Sequence, residues 1–353
     1  MSVKHGNIEI FMGPEEVGAP DNLEKVIVDF IDGAEKKLDI AVQELQSEAI
    51  TKAIIEARQR KVTVSVVLEA DYLSVTRARA KPFVVDMKAE NEENRQLHDA
   101  ILRANVKVRT DFNTSIFHQK FIVRDRKDLL TGSTNFTPTG VASNLNHIVV
   151  VKHPDVAKIY SREFREISQG HFGKLNEGHD PAPKTIGVSY VPVKILFAPD
   201  HAPEMEIMKQ MAKAKERIDF AIFTFSKSSG IDDQMILARK ADLTVRGVLD
   251  SRQANQTWAA TRPLKENGVE LHILKRGSRA SKLHHKLMVI DKQVIIAGSF
   301  NYTGPANSLN DENIIILGDL GATSARTKAA QKKLAAFALK EIERIIRDEA
   351  VPI

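Results

Sequence analysis

Short stretches in which apolar residues alternate with polar ones, or run together as β-branched residues, recur along the chain, and each predicts a strand. In the first half they are IEIFM, LDIAV, TVSVVLE, VKVRT, KFIVRD, DLLTGS and HIVVVK. VKILFA, IDFAIFTF, LTVRGVLD, VELHIL, KLMVID, QVIIAGS and NIIIL answer them in the same order in the second half. Between the early strands, NLEKVIVDFIDGAEKK and SEAITKAIIEARQRK place apolar residues three and four apart, the period of a helix with one buried face. The C-terminal SARTKAAQKKLAAFALKEIERIIRDEA keeps that period far longer and is expected to cover the second sheet. Strands alternating with helices, then closely spaced strands, predict an α/β fold in which each half is a mixed sheet flanked by helices.

The two halves are copies of one unit. His118, Lys120, Asp125, Gly132, Ser133 and Asn135 match His284, Lys286, Asp291, Gly298, Ser299 and Asn301, and one constant offset separates every pair. KKLDIAV resembles ERIDFAI and VVLEA resembles GVLDS at a longer offset, so the first half carries extra residues, placed in DYLSVTRARAKPFVVDMKAENEENRQL. The expected organisation is a first unit over 1–170, a Gly- and Pro-rich linker over 171–191 and a second unit over 192–353.

Composition narrows the chemistry. The 353 residues, 42% hydrophobic and 27% charged, are enough for sizeable globular cores. A net charge of +5 suits a polyanionic partner without identifying one. The absence of cysteine excludes disulfides, thiolate nucleophiles and Cys-ligated metals. No apolar run reaches the roughly 20 residues of a membrane span. The N-terminal MSVKHGNIEIFMGPEE lacks a signal-peptide pattern, so a soluble cytoplasmic protein is the expectation.

The repeated residues carry the candidate chemistry. His118 and Lys120 sit two apart on a predicted strand and share one face. After a turn, the next strand ends in Gly-Ser, and Asn135 follows. Each half thus offers an imidazole, an ammonium, a hydroxyl and a carboxamide, and no metal-binding carboxylate cluster. Such groups suit a phosphate, with Lys and Asn donating to its oxygens. Two imidazoles can serve as nucleophile and general acid. His285 and His147 are expected to pack rather than react. Trp258 is expected in a helix, RQANQTWAATRPLKENG, as core or groove wall.

This paired H-x-K-x4-D, each followed by G-S-x-N, resembles the signature of the phospholipase D superfamily over essentially the whole chain. The resemblance implies two tandem units about a pseudo-twofold axis, with both signatures at their interface. It implies phosphodiester cleavage through a covalent phosphohistidine, without metal or other cofactor. His118 would be the nucleophile and His284 the general acid and base. Lys120, Lys286, Asn135 and Asn301 would hold the nonbridging oxygens, Ser133 and Ser299 would support them, and Asp125 and Asp291 would buttress the fold. The family's N-x-E is present as Asn310 and Glu312 in the second copy, whereas the first reads Asn144, Leu145, Asn146. Glu312 is therefore expected to orient His118, with Asn146 facing His284. A carboxylate stabilises an imidazolium more than an amide does, which favours His118 as nucleophile.

Lys275, Arg276, Arg279 and Lys282 precede the second signature and suit a nucleic-acid backbone. Arg77, Arg79 and Lys81 could add a second arm. The first reading is a nuclease acting on DNA, with RNA as the other nucleic-acid substrate. A phospholipase D-type lipid phosphodiesterase or transphosphatidylase is the alternative, and a catalytically dead nucleic-acid-binding scaffold the third. With both half-sites in one chain, dimerisation is not needed to complete a site.

Overall fold

The computed structural model describes residues 2–75, 84–176, 178 and 181–353. Arg77, Arg79 and Lys81 lie outside the described residues. The first-half strands are β1 (Val3–His5), β2 (Ile8–Gly13), β3 (Lys37–Val42), β4 (Thr63–Leu68), β5 (Lys107–Thr110), β6 (Lys120–Arg124), β7 (Asp128–Gly132) and β8 (Asn144–Lys152). The second half supplies β9 (Ile186–Val188), β10 (Val191–Ala198), β11 (Arg217–Ile222), β12 (Thr244–Leu249) and β13 (Glu270–Leu274). It continues with β14 (Lys282–Leu283), β15 (Lys286–Ile290), β16 (Val294–Gly298), β17 (Glu312–Leu317) and β18 (Ala350–Pro352).

They form two nine-stranded sheets of matching topology. One runs β1-β2-β8-β7-β6-β3-β4-β5, with β14 added beside β8; the other runs β18-β13-β12-β11-β15-β16-β17-β10-β9. In each, three parallel strands (β3-β4-β5, β11-β12-β13) join an antiparallel set. Helices connect the parallel strands because parallel neighbours need a crossover. Every predicted strand is present. The short β1, β9, β14 and β18 were not predicted, because two or three residues carry too little pattern to register. The 171–191 segment is not all linker: it holds a 3-10 turn at Gly173–Leu175 and β9.

The two faces of each sheet have different cores. The outer face of the first packs Leu38, Ile40 and Val66 against helices Leu23–Asp32 and Glu48–Gln59. The outer face of the second packs Phe220 and Met288 against Pro203–Met211 and Ile231–Lys240. The inner faces share one core, to which both halves contribute, with Phe121, Tyr160 and Phe164 beside Phe197, Leu287 and Ile342. Tyr160 sits edge-on to Phe121 and Phe197 at 5.0 and 5.1 Å. The Ala325–Glu349 helix runs through this shared core and touches β1 and β2 as well as the second sheet, so it joins the halves rather than merely covering one. Among the described residues, no helix is long and apolar enough to cross a membrane.

Candidate active site

Tight turns set the signature strands in place. The β6–β7 and β15–β16 hairpins turn through Asp125-Arg126 and Asp291-Lys292, all at positive φ, as such two-residue turns require. Asp125 accepts backbone N–H bonds from Glu35, Lys36 and Lys37 at 3.0, 2.7 and 2.8 Å. Asp291 does the same for Lys215, Glu216 and Arg217 at 2.8, 2.8 and 2.9 Å. Both aspartates thus pin the strand next to the hairpin and lie away from the histidines. Gly132 and Gly298 end β7 and β16 where a Cβ would stand 2.2 Å from the His147 carbonyl oxygen and 2.3 Å from that of Asn313. Only glycine lets the backbones approach so closely.

His118 and His284 precede their strands rather than lying on them, because the other half holds their backbones. The His118 N–H donates to the Asp311 carbonyl at 3.0 Å and the His284 N–H to the Leu145 carbonyl at 2.9 Å. The side chains cross over too. His118 Nδ1 lies 2.7 Å from Glu312 Oε2, and Ser299 Oγ donates to that same oxygen at 2.6 Å. His284 Nδ1 lies 3.0 Å from Asn146 Oδ1 and 3.1 Å from the Ser133 carbonyl oxygen, while Ser133 Oγ donates to Asn146 Oδ1 at 2.7 Å. Each half therefore orients the other half's histidine, and one orienting group is acidic while the other is neutral.

These contacts set the tautomers. Both partners of His284 Nδ1 are oxygen acceptors, so Nδ1 carries the proton and Nε2 is left with its lone pair. The Glu312 contact does the same for His118 when that carboxyl is ionised. Lys120 Nζ donates to the His118 carbonyl at 2.9 Å and to Gln43 Oε1 at 3.1 Å. Lys286 Nζ donates to the His284 carbonyl at 2.9 Å, but its other neighbour is the Phe223 ring, 4.9 Å away. In both copies the buried carboxamide oxygen, of Asn135 and of Asn301, has no hydrogen-bond partner.

Burial dominates the electrostatics. It pulls Lys120 down to about 7 and Lys286 well below its ordinary value, and pushes Glu312 up to about 8. Burial, then the charges of the two lysines, holds His118 and His284 well below the usual imidazole range. An anion entering this pocket would offset the burial and favour the ammonium form of both lysines.

Several supporting residues escaped the sequence reading. Glu69 Oε2 accepts from the Phe117 N–H at 2.6 Å and Asp250 Oδ2 from the Leu283 N–H at 3.2 Å, fixing the residue before each histidine. VVLEA and GVLDS held the signal, an acid at the same place in both repeats. Beneath the histidines, Gln119 and Asn313 meet at 2.7 Å in one half-site, and the repeat-related His285 and His147 meet at 3.1 Å in the other. The two imidazoles stack, fully buried, and so are packed as expected.

The basic loop divides. Lys275 Nζ donates to the Asp348 carbonyl, and the Arg279 guanidinium donates to Glu349 Oε1 at 3.0 and 2.9 Å. Both are drawn to the end of the C-terminal helix by these bonds. Lys282 remains close enough to act on the charges of Glu44, His284 and Lys286, and Arg276 stays exposed. Trp258 lies outside any helix and is 41% exposed, so it is not core. Among the described residues, no group of three or more His, Asp or Glu is arranged to hold a metal ion.

Comparison with known proteins gives this arrangement its family. The family described as "Cardiolipin synthase, PLD-like domain" matches residues 27–168 and 207–334. A mitochondrial cardiolipin hydrolase of Danio rerio is 25% identical over 150 residues, 42% of this chain and 55% of that protein. A phospholipase D of Rickettsia bellii is 30% identical over 151 residues, 40% of this chain and 71% of that protein. The match thus spans little more than half the length of the Danio rerio relative. A phosphatidylserine synthase of Haemophilus influenzae has the same fold, with a TM-score of 0.67 at 12% identity over 100% of this chain and 89% of that one. With one family matching both repeats and most of the sequence, the chain belongs to the phospholipase D superfamily.

Proposed function

We propose that the chain hydrolyses phosphodiesters through a covalent phosphohistidine, with His118 as nucleophile and His284 as general acid and then base. The crossed pairing of His118 with Glu312 and His284 with Asn146 carries this reading. His118 Nε2 attacks phosphorus, the bond to the leaving oxygen breaks, and protonated His284 gives that oxygen its Nε2 proton. As the P–N bond forms, His118 becomes cationic and Glu312 stabilises it. His284 then takes a proton from water, which attacks phosphorus and releases His118. Lys120, Lys286, Asn135 and Asn301 surround the nonbridging oxygens, whose charge grows in the transition state. With bis(p-nitrophenyl) phosphate, whose leaving group departs without a proton, His284→Ala is expected to release one equivalent of p-nitrophenolate and retain phosphorus on the chain. His118→Ala should do neither. The opposite pattern overturns the assignment.

Nucleic acid is the substrate class we infer, since Lys282 is close enough to act on the charge of His284, exposed Arg276 lies in the same loop, and both suit a phosphate backbone. A second reading is a phospholipid. It is favoured by the exposed apolar Phe112, Ile116 and Leu175 flanking the His118 side and by the lipid-acting names of the relatives. Incubation in excess EDTA with plasmid, single-stranded DNA, RNA, and phosphatidylcholine or cardiolipin vesicles separates them. Cleavage of nucleic acid alone supports the first reading, and lipid turnover with intact nucleic acid supports the second. Salt-sensitive DNA binding without turnover would leave a scaffold.

A further inference from the structure

The two halves also differ on the inner face of their parallel strands, away from the histidines. In the second half, buried Asp219 is saturated. Arg217 donates to it at 2.7 and 2.6 Å, and Arg246 at 3.1 and 2.9 Å. Arg246 also reaches Glu343 of the C-terminal helix at 3.3 Å, closing the space between sheet and helix. In the first half, Asp39 occupies the equivalent place and Lys37 donates to its Oδ2 at 2.7 Å. Strand register pairs Asp219 with Arg246, and it pairs Asp39 with Ser65. Serine stands where the repeat has an arginine, so the space stays open.

That space is a cavity of about 390 Å³ between β3-β4-β5 and the Pro154–Gln169 helix. Asp39 forms part of its wall, 2% exposed, and its Oδ1 has no hydrogen-bond partner. An unpaired buried carboxylate oxygen is costly, and burial pushes the Asp39 carboxyl above its usual range. Around it stand Lys37, Lys107, Arg109, Arg126 and Arg165. Of these, only Lys37 makes a side-chain ion pair within the described chain. Asp39 is the one acid in the lining. The deep acceptor asks for a hydroxyl or amine, and the cationic rim asks for phosphate. The volume falls within the roughly 300–1,000 Å³ of small-molecule sites.

We propose that this cavity binds a small phosphorylated molecule bearing a hydroxyl or amino donor, a nucleotide or a polyol phosphate, with the donor on Asp39 and the phosphate held by Arg126 and Arg165. It is a second site, separate from the histidines, and stands whether or not the chain cleaves nucleic acid. The S65R variant restores the repeat's arginine and should fill the space. The exposed pair R126A/R165A removes phosphate contacts without disturbing the core.

Calorimetric titration with ADP, glycerol 3-phosphate and inorganic pyrophosphate tests it. At least one of the two donor-bearing ligands should bind, identifying the source, and its affinity should fall tenfold or more in S65R and in R126A/R165A. D39N should weaken that ligand but not pyrophosphate, which has no hydroxyl or amine to offer. Turnover of bis(p-nitrophenyl) phosphate should be unchanged in R126A/R165A, which shows the histidine site intact. Binding that survives both cavity variants and disappears only in Lys120→Ala would place the anion in the active site and overturn the proposal. Absence of binding by all three ligands would overturn it too, as would cavity-dependent binding of duplex DNA alone.

Discussion

At the residue scale, the site is asymmetric at one position. Glu312 and Asn146 are repeat-related, accept from repeat-related serines and face repeat-related histidines, yet only Glu312 can bear charge. Glu312→Gln keeps the shape and removes the charge that, in the proposed mechanism, stabilises the His118 cation. We expect kcat for phosphodiester hydrolysis to fall about 10- to 100-fold with little change in KM, measured by steady-state kinetics. The pH dependence follows from the proton positions. In the unliganded protein His284 carries its proton on Nδ1, and Nε2 must gain one before it can act as an acid. Its imidazole loses that second proton well below the usual 6.5. The acid is therefore present at low pH and lost as pH rises through the lowered value. A profile of kcat/KM, which reports the free enzyme, should fall from the acid side of 6.5 toward pH 8.

At the element scale, the hairpin aspartates work equally hard on paper but unequally in their surroundings. Asp291 is buried, and its three backbone bonds lie in a partly buried region, whereas two of the three to Asp125 are solvent-exposed. Asp291→Ala leaves N–H groups without water or partner, so we expect it to cost about 2–4 kcal/mol, and Asp125→Ala clearly less, by urea titration. The elements themselves were legible because a strand buried on both faces is written locally, as in KLMVI or VIIAG, and the twofold recurrence confirmed each reading. The short β14 was not, since it forms only by pairing Lys282 with Asn144 of the other half. His118 was read onto a strand for the same reason: its backbone hydrogen bond goes to Asp311, and no local pattern announces that partner.

At the scale of the molecule, two half-sites and one shared core make the units interdependent. Phe121, Tyr160 and Phe164 would lose Phe197, Leu287 and Ile342 if the halves were parted. Expressed separately, 1–170 and 192–353 are each expected to associate or lack a cooperative transition, and neither should turn over bis(p-nitrophenyl) phosphate. Circular dichroism melts and size-exclusion chromatography check the first outcome, and a fixed-time assay checks the second. A half that is stable and active as a monomer would show that the site is not built across the interface.

The sequence by itself determined the repeat, the strands and the residues of both signatures, because periodicity and spacing are properties of neighbouring positions. The tertiary structure closed the pairing of Glu312 with His118 and of Asn146 with His284 that the family resemblance implied. It also decided that Lys275 and Arg279 turn to the C-terminal helix, and that Asp39 keeps an open space where Asp219 has none. Those outcomes rest on contacts between residues far apart in the chain, whose geometry is fixed by two sheets packing through one core and not by any local run of amino acids.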